Sequence, residues 1–310
     1  MAQTVFIDGA AGTTGLEIAD RLSGRSEFEL VILDDTKRKD PEARREALNT
    51  SDFTILCLPD DAAREAVAMI ENDKTRVIDA STAHRVAGGW TYGFPELVGQ
   101  QAVASAKRVA NPGCYPTGFL SLVAPLVREG LLPEDWPYTV NAVSGYSGGG
   151  KTMIERFEMD RDIAFRTYGL TQNHKHLPEM QRHGGLTHAP VFAPSVIPAF
   201  RGMLVEVPLP LEAMRAAATP EAMRQALTAF YADCPLVKMG TTPENGELLM
   251  RNSHAASDML ELHIFSDETG SQARLVALLD NLGKGASGAA VQSLNIMAGI
   301  EETVGLRLTA

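Results

Sequence analysis

The chain has 310 residues, of which 45% are hydrophobic and 22% are charged, and its net charge at pH 7 is -11. This composition is typical of a folded globular protein, and the length predicts two domains. The negative charge disfavours a general nucleic-acid-binding surface, and no apolar run approaches the roughly 20 residues that span a bilayer. Because the opening MAQTVFIDGAAG lacks a secretory leader, we expect a cytoplasmic protein with neither a membrane nor a nucleic-acid partner.

The first third of the chain alternates strand-like and helix-like patterns. Apolar strand runs occur at TVFID, FELVILD, FTILCLP and TRVIDA, and helical patterns begin near Leu16 and at Asp60. Such alternation predicts βαβ units, in which right-handed crossovers build a parallel sheet with helices on both faces. Ligand-binding loops of such a sheet lie at the carboxyl ends of its strands.

A glycine-rich loop follows the first predicted strand and opens a helix. Gly9, Gly12 and Gly15 in GAAGTTG would allow a tight turn and a close approach of the backbone to a pyrophosphate, which the helix N-terminus stabilises. Thr13 and Thr14 would add hydroxyl donors. The spacing is GxxGxxG rather than GxGxxG, but the strand-loop-helix context favours a dinucleotide site over a purely structural turn.

The end of the second predicted strand carries opposing signals about the cofactor. Asp34 and Asp35 in ILDD favour the ribose hydroxyls of NAD, whereas Lys37, Arg38 and Lys39 would suit the 2′-phosphate of NADP. These residues therefore leave the choice between the two cofactors open.

The three cysteines are too few for a disulfide framework or a clustered metal site. Cys57 lies in an apolar run and Cys234 ends a helical pattern, so both are expected to be small buried residues. Cys114 has different surroundings from the other two cysteines, because NPGCYPTG places it in a rigid turn before a helical pattern. A helix N-terminus would stabilise its thiolate, which predicts a nucleophile.

A P-loop pattern competes with this interpretation. GYSGGGKT, from Gly145 to Thr152, matches G-x-x-x-x-G-K-[ST] after the strand YTVNAV, with Lys151 available for a terminal phosphate. A nucleotide hydrolase or kinase is therefore the alternative enzyme class, although a complete βαβ unit precedes the motif and no convincing magnesium-holding Asp follows it. The same loop could hold a substrate phosphate. A non-enzymatic dinucleotide-sensing regulator is a third possibility.

A candidate acid/base site lies in NHKHLPEM. An acyl transfer at Cys114 needs a group that manages protons, and His174 and His176 are candidates, with Glu179 three residues further on a helix to orient an imidazole. The HxH spacing also suits a metal, but no further ligands accompany the pair, so we predict no metal site.

The remainder of the chain predicts a second domain with longer strands than the first. Longer strand candidates, YTVNAVS, APVFAPSVI, GMLVEVPLPL, MLELHIF and ARLVALLD, predict an α+β domain with a larger sheet. The last segment, SGAAVQSLNIMAGIEETVG, has helical spacing and is expected to pack back on the first domain. The prediction is thus a Rossmann-type dinucleotide-binding α/β domain at 1–113, completed by 284–310, plus an α+β catalytic domain at 114–283.

Taken together, these segments resemble the short type of the N-acetyl-gamma-glutamyl-phosphate reductase family, which is related to aspartate-semialdehyde dehydrogenase. The resemblance covers nearly the whole chain and is carried by GAAGTTG, IDASTAHR, YGFPEL, NPGCYPTG, VSGYSGGGK, HKHLPE, AFRGMLVEVP and DNLGKGASGAAVQSLNIM. It implies NADP-dependent reduction of an acyl phosphate, N-acetyl-glutamyl 5-phosphate, to a semialdehyde with release of phosphate, in arginine biosynthesis.

The resemblance also implies roles for individual residues and an oligomeric state. Cys114 matches the family nucleophile and His174 its acid/base residue. Substrate-binding positions are implied at five residues: Arg85, Ser144, Gly145, His176 and Glu179. Asn281 matches a segment that approaches the nicotinamide, and family members are usually homo-oligomers.

Overall fold

The computed structural model describes residues 2–214, 217–243, 245–253 and 255–308. The chain divides into two compact units: unit 1 is Met1–Gly113 with Ala286–Leu306, and unit 2 is Cys114–Gly285 with Arg307–Ala310. Within the described residues, no helix is both long and apolar enough to cross a membrane.

Unit 1 is a parallel sheet with helices. Its six strands lie in the order β2-β1-β3-β4-β6-β5, and every neighbouring pair is parallel. The strands are β1 (Gln3–Asp8), β2 (Phe28–Val31), β3 (Phe53–Leu56), β4 (Arg76–Asp79), β5 (Thr91–Tyr92) and β6 (Arg108–Ala110). The helices are α1 (Thr13–Leu22), α2 (Pro41–Thr50), α3 (Asp60–Ala68), α4 (Pro95–Val98), α5 (Gln100–Ser105) and, from the end of the chain, α10 (Gly288–Met297).

Both faces of the unit 1 sheet are buried, which explains why its strands are nearly continuous apolar runs. Alternate side chains of β1 point to opposite faces. Val5 and Ile7 join a cluster with residues of α1 and α10, whereas Phe6 joins a second cluster with residues of α2 and α3. The Rossmann-type α/β prediction is therefore confirmed.

Two predicted boundaries in unit 1 differ from the structure. Strand β2 ends at Val31 rather than near Asp34, because the Asp34 carboxylate accepts hydrogen bonds from the amides of Thr36 and Lys37 and closes a turn there. Helix α1 begins at Thr13 rather than Leu16, because the glycine loop leads directly into its first turn.

The prediction that the C-terminal helix returns to the first domain is confirmed, but the helix is shorter than its pattern. All ten residues of α10 are buried, and Val291 and Leu294 belong to the same core cluster as Val5. The pattern continued to residue 305, whereas the helix ends at Met297. Gly299 has a φ of 72°, a left-handed conformation that ends a helix readily.

Unit 2 is the predicted α+β domain. Its mixed sheet has the strand order β11-β12-β13-β10-β7-β9-β8. The strands are β7 (Thr139–Gly145), β8 (Arg166–Thr167), β9 (Val191–Ile197), β10 (Met203–Leu209), β11 (Val237–Met239), β12 (Leu260–Ser266) and β13 (Ala273–Leu279). The helices are α6 (Cys114–Arg128), α7 (Gly150–Met159), α8 (Leu177–Gly184) and α9 (Pro220–Phe230).

Helix α6 is the buried helix of unit 2, and it carries a proline in its interior. It packs on β10 and β13 and against α8 and α9. Pro125 has no N–H, so the carbonyl of Ser121 loses its ordinary helical donor. The hydroxyl of Tyr231 donates to that carbonyl at 2.9 Å, and both residues are buried. A side chain from beyond α9 thereby stabilises the helix that begins at Cys114.

Replacing Tyr231 by phenylalanine should therefore destabilise the protein although it changes no apolar contact surface. A buried carbonyl left without a donor costs about 1 to 3 kcal/mol. The free energy of unfolding in urea should fall by that amount with an unchanged m-value. An unaltered midpoint would mean that the carbonyl finds another donor.

Candidate active site

The glycine loop of unit 1 has the backbone geometry that requires glycine at two positions. Gly9 has a φ of 90°, and a Cβ there would lie 2.3 Å from the carbonyl oxygen of Cys57. A Cβ on Gly15 would lie 2.6 Å from the carbonyl oxygen of Gly9. The amide of Gly12 donates to that same oxygen at 3.0 Å and closes the turn before α1. The loop is therefore a close-packed strand-to-helix turn with the helix N-terminus behind it.

A cavity of about 730 Å³ adjoins this loop at the carboxyl ends of β1 and β2. Its wall includes the loop, the turn after β2 and Arg44 of α2. The residues that line it are Phe6, Ile7, Asp8, Gly9, Ala10, Ala11, Leu16, Ala19, Ile32, Leu33, Asp34, Asp35, Arg38, Lys39, Arg44, Leu58 and Ala62. The wall combines apolar side chains with three basic and three acidic ones, and its position next to helix-terminal amides fits an adenine nucleotide.

Cys114 is the first residue of α6, at the N-terminus of the buried helix of unit 2. Its half-buried side chain lines a cavity of about 160 Å³. The cavity is formed by Cys114, Tyr115, Ser144, Gly145, Gly148, Gly149, Met153, Arg166, Tyr168 and Val196. A Cβ on Gly285 would lie 2.9 Å from the Cβ of Cys114, so glycine is needed at that position. The structure thus brings Ser144 and Gly145 together with Cys114.

His174 lies beside this cavity with a defined tautomer. The backbone amide of His176 donates to Nδ1 of His174 at 3.2 Å, so in the neutral ring the proton is on Nε2. Burial, assisted by the charge of Lys175, lowers the pKa of His174 to about 4, and the imidazole is neutral at pH 7. The rings of Tyr115 and Tyr168 pack edge-on against it, with centroid distances of 6.2 and 5.6 Å.

His176 and Glu179 are both buried, and His176 packs against His174. The two imidazole centroids are 4.7 Å apart. His176 precedes the first helical residue of α8, and Glu179 lies in the first turn of that helix. The structure therefore places the NHKHLPE segment at the N-terminus of α8, where the helix dipole favours the Glu179 carboxylate. No group of three or more His, Cys, Asp or Glu residues suited to a metal occurs among the described residues.

The first three amides of the loop with the P-loop pattern are not free to bind a phosphate. The backbone amides of Gly145, Tyr146 and Ser147 donate to carbonyl oxygens of residues 199–202 at 2.8 to 3.1 Å. A P-loop needs its amides directed at the nucleotide phosphates. The strand-loop-helix context is present, but the first half of the motif is used to join β7 to the 199–202 segment. Lys151 is exposed on the first turn of α7.

Magnesium-ATP should accordingly neither bind detectably nor be hydrolysed. Calorimetric titration and a phosphate-release assay at millimolar nucleotide test this, with Lys151→Ala as the matched variant. Saturable, magnesium-dependent binding that disappears in Lys151→Ala would establish the nucleotide hydrolase or kinase alternative instead.

Asn281 holds the same loop in place. Its Oδ1 accepts a hydrogen bond from the amide of Gly202 at 2.9 Å, and its Nδ2 donates to Oγ of Ser147 at 2.9 Å. The side chain is buried in unit 2, and a Cβ on Gly148 would lie only 3.2 Å from Nδ2. Asn281 therefore positions the loop that lines the Cys114 cavity, and its assignment to cofactor binding stays a prediction.

Arg85 belongs to unit 1, on the segment that follows β4. Its guanidinium is buried and donates from Nε to the carbonyl of Asn111 at 2.9 Å and from Nη2 to that of Ala80 at 3.2 Å. Neighbouring His84 stacks on Trp90 and bonds through Nδ1 to the buried Asp79 carboxylate at 2.6 Å. The guanidinium is thus fixed by backbone carbonyls.

Sequence reasoning missed Arg166, Tyr115 and Tyr168. Arg166 is a cation in the wall of the Cys114 cavity, and its guanidinium lies 4.4 Å from the ring centroid of Tyr168. The hydroxyl of Tyr168 donates to that of Tyr115 at 3.2 Å. Strand β8 has only two residues, so no periodicity marks it. Its antiparallel pairing with β9 decides the placement of Arg166.

Two family models match the chain, one in each unit. Residues 4–106 match the semialdehyde dehydrogenase NAD binding domain, and residues 114–281 match the semialdehyde dehydrogenase dimerisation domain. Solved structures with the same fold include aspartate semialdehyde dehydrogenase II from Vibrio cholerae, with a TM-score of 0.71 at 16% identity over 96% of this chain and 99% of that one. Another is aspartate semialdehyde dehydrogenase from Candida albicans, solved with NADP. Its TM-score is 0.68 at 14% sequence identity, over 96% of this chain and 98% of that one. The class is therefore that of the semialdehyde dehydrogenases.

Sequence relatives narrow the class. The chain is 46% identical to an N-acetyl-gamma-glutamyl-phosphate reductase of Trichormus variabilis, over 97% of this chain and 98% of that protein. It is 49% identical to the reductase of the same name from Rhizobium meliloti, over 96% of this chain and 99% of that protein. The chain belongs to the N-acetyl-gamma-glutamyl-phosphate reductase family, a nicotinamide-dependent oxidoreductase family, as its sequence predicted.

Proposed function

We propose that this enzyme reduces N-acetyl-glutamyl 5-phosphate to N-acetyl-glutamate 5-semialdehyde and phosphate, with NADPH as the reductant and a thioester on Cys114. The observation that carries the proposal is the position of Cys114 at the first residue of α6, in one cavity with Arg166 and the loop after β7. A thiol at a helix N-terminus beside a basic, enclosed pocket is suited to attack an anionic acyl donor.

Cys114 acts first, as a thiolate. Its sulfur attacks the acyl carbon, the carbon-oxygen bond to phosphate breaks, and phosphate leaves with that electron pair. Capture as a thioester protects an acyl group that water would otherwise hydrolyse. Gly285 lets its segment pack closely on Cys114, because a Cβ there would lie 2.9 Å from the Cβ of Cys114.

His174 manages the proton in the second half of the reaction. A nicotinamide cofactor, when bound, would supply a hydride to the thioester carbon. The resulting tetrahedral oxyanion needs a donor, and the Nε2–H of neutral His174 is available for this because Nδ1 is already an acceptor. The oxygen then returns that proton to Nε2 and re-forms the carbonyl as the carbon-sulfur bond breaks, which releases the aldehyde and restores the Cys114 thiolate.

Arg166, in unit 2, supplies positive charge for an anionic substrate. Arg166 lines the Cys114 cavity and can bind a carboxylate or phosphate through its planar guanidinium. Arg85 is assigned to substrate by the family resemblance, and its backbone bonds fix its direction. His176, Glu179, Ser144 and Gly145 complete the proposed substrate site.

The residues of unit 1 fit a dinucleotide. Gly9, Gly12 and Gly15 permit the close backbone approach that a pyrophosphate requires, with Thr13 and Thr14 at the start of α1 as added donors. Arg38 and Lys39, which line the neighbouring cavity together with Asp34 and Asp35, are the support for NADP over NAD. Unit 1 would then be the cofactor domain and unit 2 the catalytic domain, in a cytosolic homo-oligomer.

The reverse reaction tests the proposal directly. Purified enzyme should reduce NADP with N-acetylglutamate semialdehyde only when inorganic phosphate is present. Aspartate semialdehyde is the matched control substrate, because it has the same aldehyde but lacks the acetyl group and one methylene. A preference for aspartate semialdehyde would identify the enzyme as an aspartate-semialdehyde dehydrogenase instead. Turnover without phosphate would exclude an acyl-phosphate product.

A further inference from the structure

The segment between β4 and Arg85 is folded around one buried carboxylate. Asp79 is the last residue of β4, and its side chain is inaccessible to solvent. Its Oδ1 accepts from the amide of Ser81 at 2.9 Å, and its Oδ2 accepts from the Ser81 hydroxyl at 2.8 Å. Nδ1 of His84 lies 2.6 Å from the same Oδ2. A carboxylate only accepts hydrogen bonds, so the contact places a proton on Nδ1 of His84.

The main chain of the same residue leads to Arg85. The carbonyl of Asp79 accepts from the amide of Asn111 at 2.8 Å, and the carbonyl of Asn111 accepts from Nε of Arg85 at 2.9 Å. Nη2 of Arg85 donates to the carbonyl of Ala80, the residue after Asp79, at 3.2 Å. The guanidinium therefore docks on the same end of β4 that the Asp79 side chain organises.

The ring of His84 is held on its edge and on its face. Its edge bonds Asp79, and its face stacks on Trp90 with the centroids 4.1 Å apart and an angle of 13° between the planes. The side chain is only 12% exposed. Turning the ring away would leave a buried carboxylate without one of its donors, which is costly. Because His84 directly precedes Arg85, a fixed His84 also restrains the backbone of Arg85.

We propose that His84 is a positioning residue for Arg85: its hydrogen bond to Asp79 fixes the backbone from which the guanidinium binds an anionic group of the substrate. The inference rests on the proposed function for the contact between Arg85 and substrate, and it adds the residue that directs this contact. A guanidinium binds an oxyanion through two parallel hydrogen bonds, so a small rotation weakens both of them. His84 itself touches no reacting atom.

Two substitutions separate the hydrogen bond of His84 from its ring. His84→Phe keeps a ring for Trp90 and removes the donor, whereas His84→Asn keeps an N–H close to the position of Nδ1 and removes the ring. Phosphate-dependent reduction of NADP gives the KM for N-acetylglutamate semialdehyde and the KM for phosphate. Arg85→Ala should raise one of the two by about 10- to 100-fold, the size expected when charge-assisted hydrogen bonds are lost.

His84→Phe should raise the same KM as Arg85→Ala, by about 10-fold, and the two changes should not add. In the Arg85→Ala background, His84→Phe should have no further effect, because the residue that it positions is gone. Its kcat should stay within about threefold of that of the unaltered enzyme, since the loss is in binding. His84→Asn should keep both KM values within about threefold, because the donor to Asp79 is retained.

Thr75→Val is the matched control for a general loss of stability in unit 1. Thr75 precedes β4 at its other end, and its buried hydroxyl lies 3.0 and 2.9 Å from the carbonyl oxygens of Leu48 and Ser51. The substitution should lower the melting temperature and leave both KM values unchanged. A rise in KM in this control equal to that in His84→Phe would show a merely structural effect and overturn the proposal.

Three further results would also overturn it. They are an unchanged KM in His84→Phe, additive effects of His84→Phe and Arg85→Ala, and an equal rise of KM in His84→Asn and His84→Phe. If Arg85→Ala changes neither KM, the contact between Arg85 and substrate fails, and this proposal fails with it. Phosphate-dependent activity of the unaltered enzyme would still support the proposed reaction in that case, so the two failures are distinguishable.

Discussion

Replacing Cys114 by serine is expected to reduce turnover by roughly 10⁴-fold or more, since removal of a catalytic nucleophile leaves only binding and electrostatic contributions. A serine hydroxyl is not ionised at neutral pH and cannot form the thioester. Cofactor binding should be unchanged, because the glycine loop belongs to unit 1 and Cys114 to unit 2. Steady-state kinetics and nucleotide titration of the same preparation separate the two effects.

Chemical labelling gives an independent readout of the same role. Iodoacetamide should modify Cys114 before the other two thiols, and the acyl-phosphate substrate should protect it. Burial raises the pKa of Cys57 to about 12, with the charges of Asp79 and Asp8 acting in the same direction, so this thiol stays protonated and inert. Cys234→Ser serves as the control and should retain full activity. Equal labelling of all three thiols, with persistent turnover in Cys114→Ser, would exclude the covalent route and favour a dinucleotide sensor.

Replacing His174 by asparagine should slow turnover by roughly 10² to 10⁴-fold, the usual size of a general acid/base contribution. Asparagine is the informative substitution because its side-chain oxygen can still accept the His176 amide, as Nδ1 does. The variant therefore keeps the local turn and lacks only the Nε2–H. His188→Asn, at an exposed histidine of the same unit, should leave the rate unchanged.

The pH profile tests the protonation state that the structure assigns to His174. Its pKa is lowered to about 4, so the imidazole is neutral at and above pH 6, and it becomes charged only as the pH falls through about 4. Protonation at Nδ1 would remove the acceptor of the His176 amide, so the acid limb of kcat/KM in the free enzyme should lie near pH 4 rather than near 6.5. It should be absent in His174→Asn. An inflection near pH 6.5 that disappears with the substitution would show that His174 is solvated as an ordinary histidine.

The sequence by itself determined the architecture and the strongest motifs. The alternation of apolar strand runs, such as FTIL, with helical patterns predicted a parallel sheet with helices on both faces, because right-handed crossovers build such a sheet. The glycines of GAAGTTG predicted a strand-to-helix turn, and two of them are required by contacts under 2.7 Å. Cys114 was marked by the rigid turn before it, and α6 begins at that residue. These are local signals, encoded by spacing and backbone preference.

Only the tertiary structure decided which side chains share a cavity and which are already engaged. Arg166 lies beside Cys114 because β8 pairs with β9, a contact between residues about 30 apart that no local pattern reports. The P-loop pattern matched in sequence although no convincing magnesium-holding Asp followed it, and the structure shows that its first three amides bind the 199–202 carbonyls. Lys37 and Arg38 are adjacent in the chain but line different cavities. Sequence gives residue types and spacing, whereas hydrogen-bond partners and side-chain direction follow from packing between distant segments.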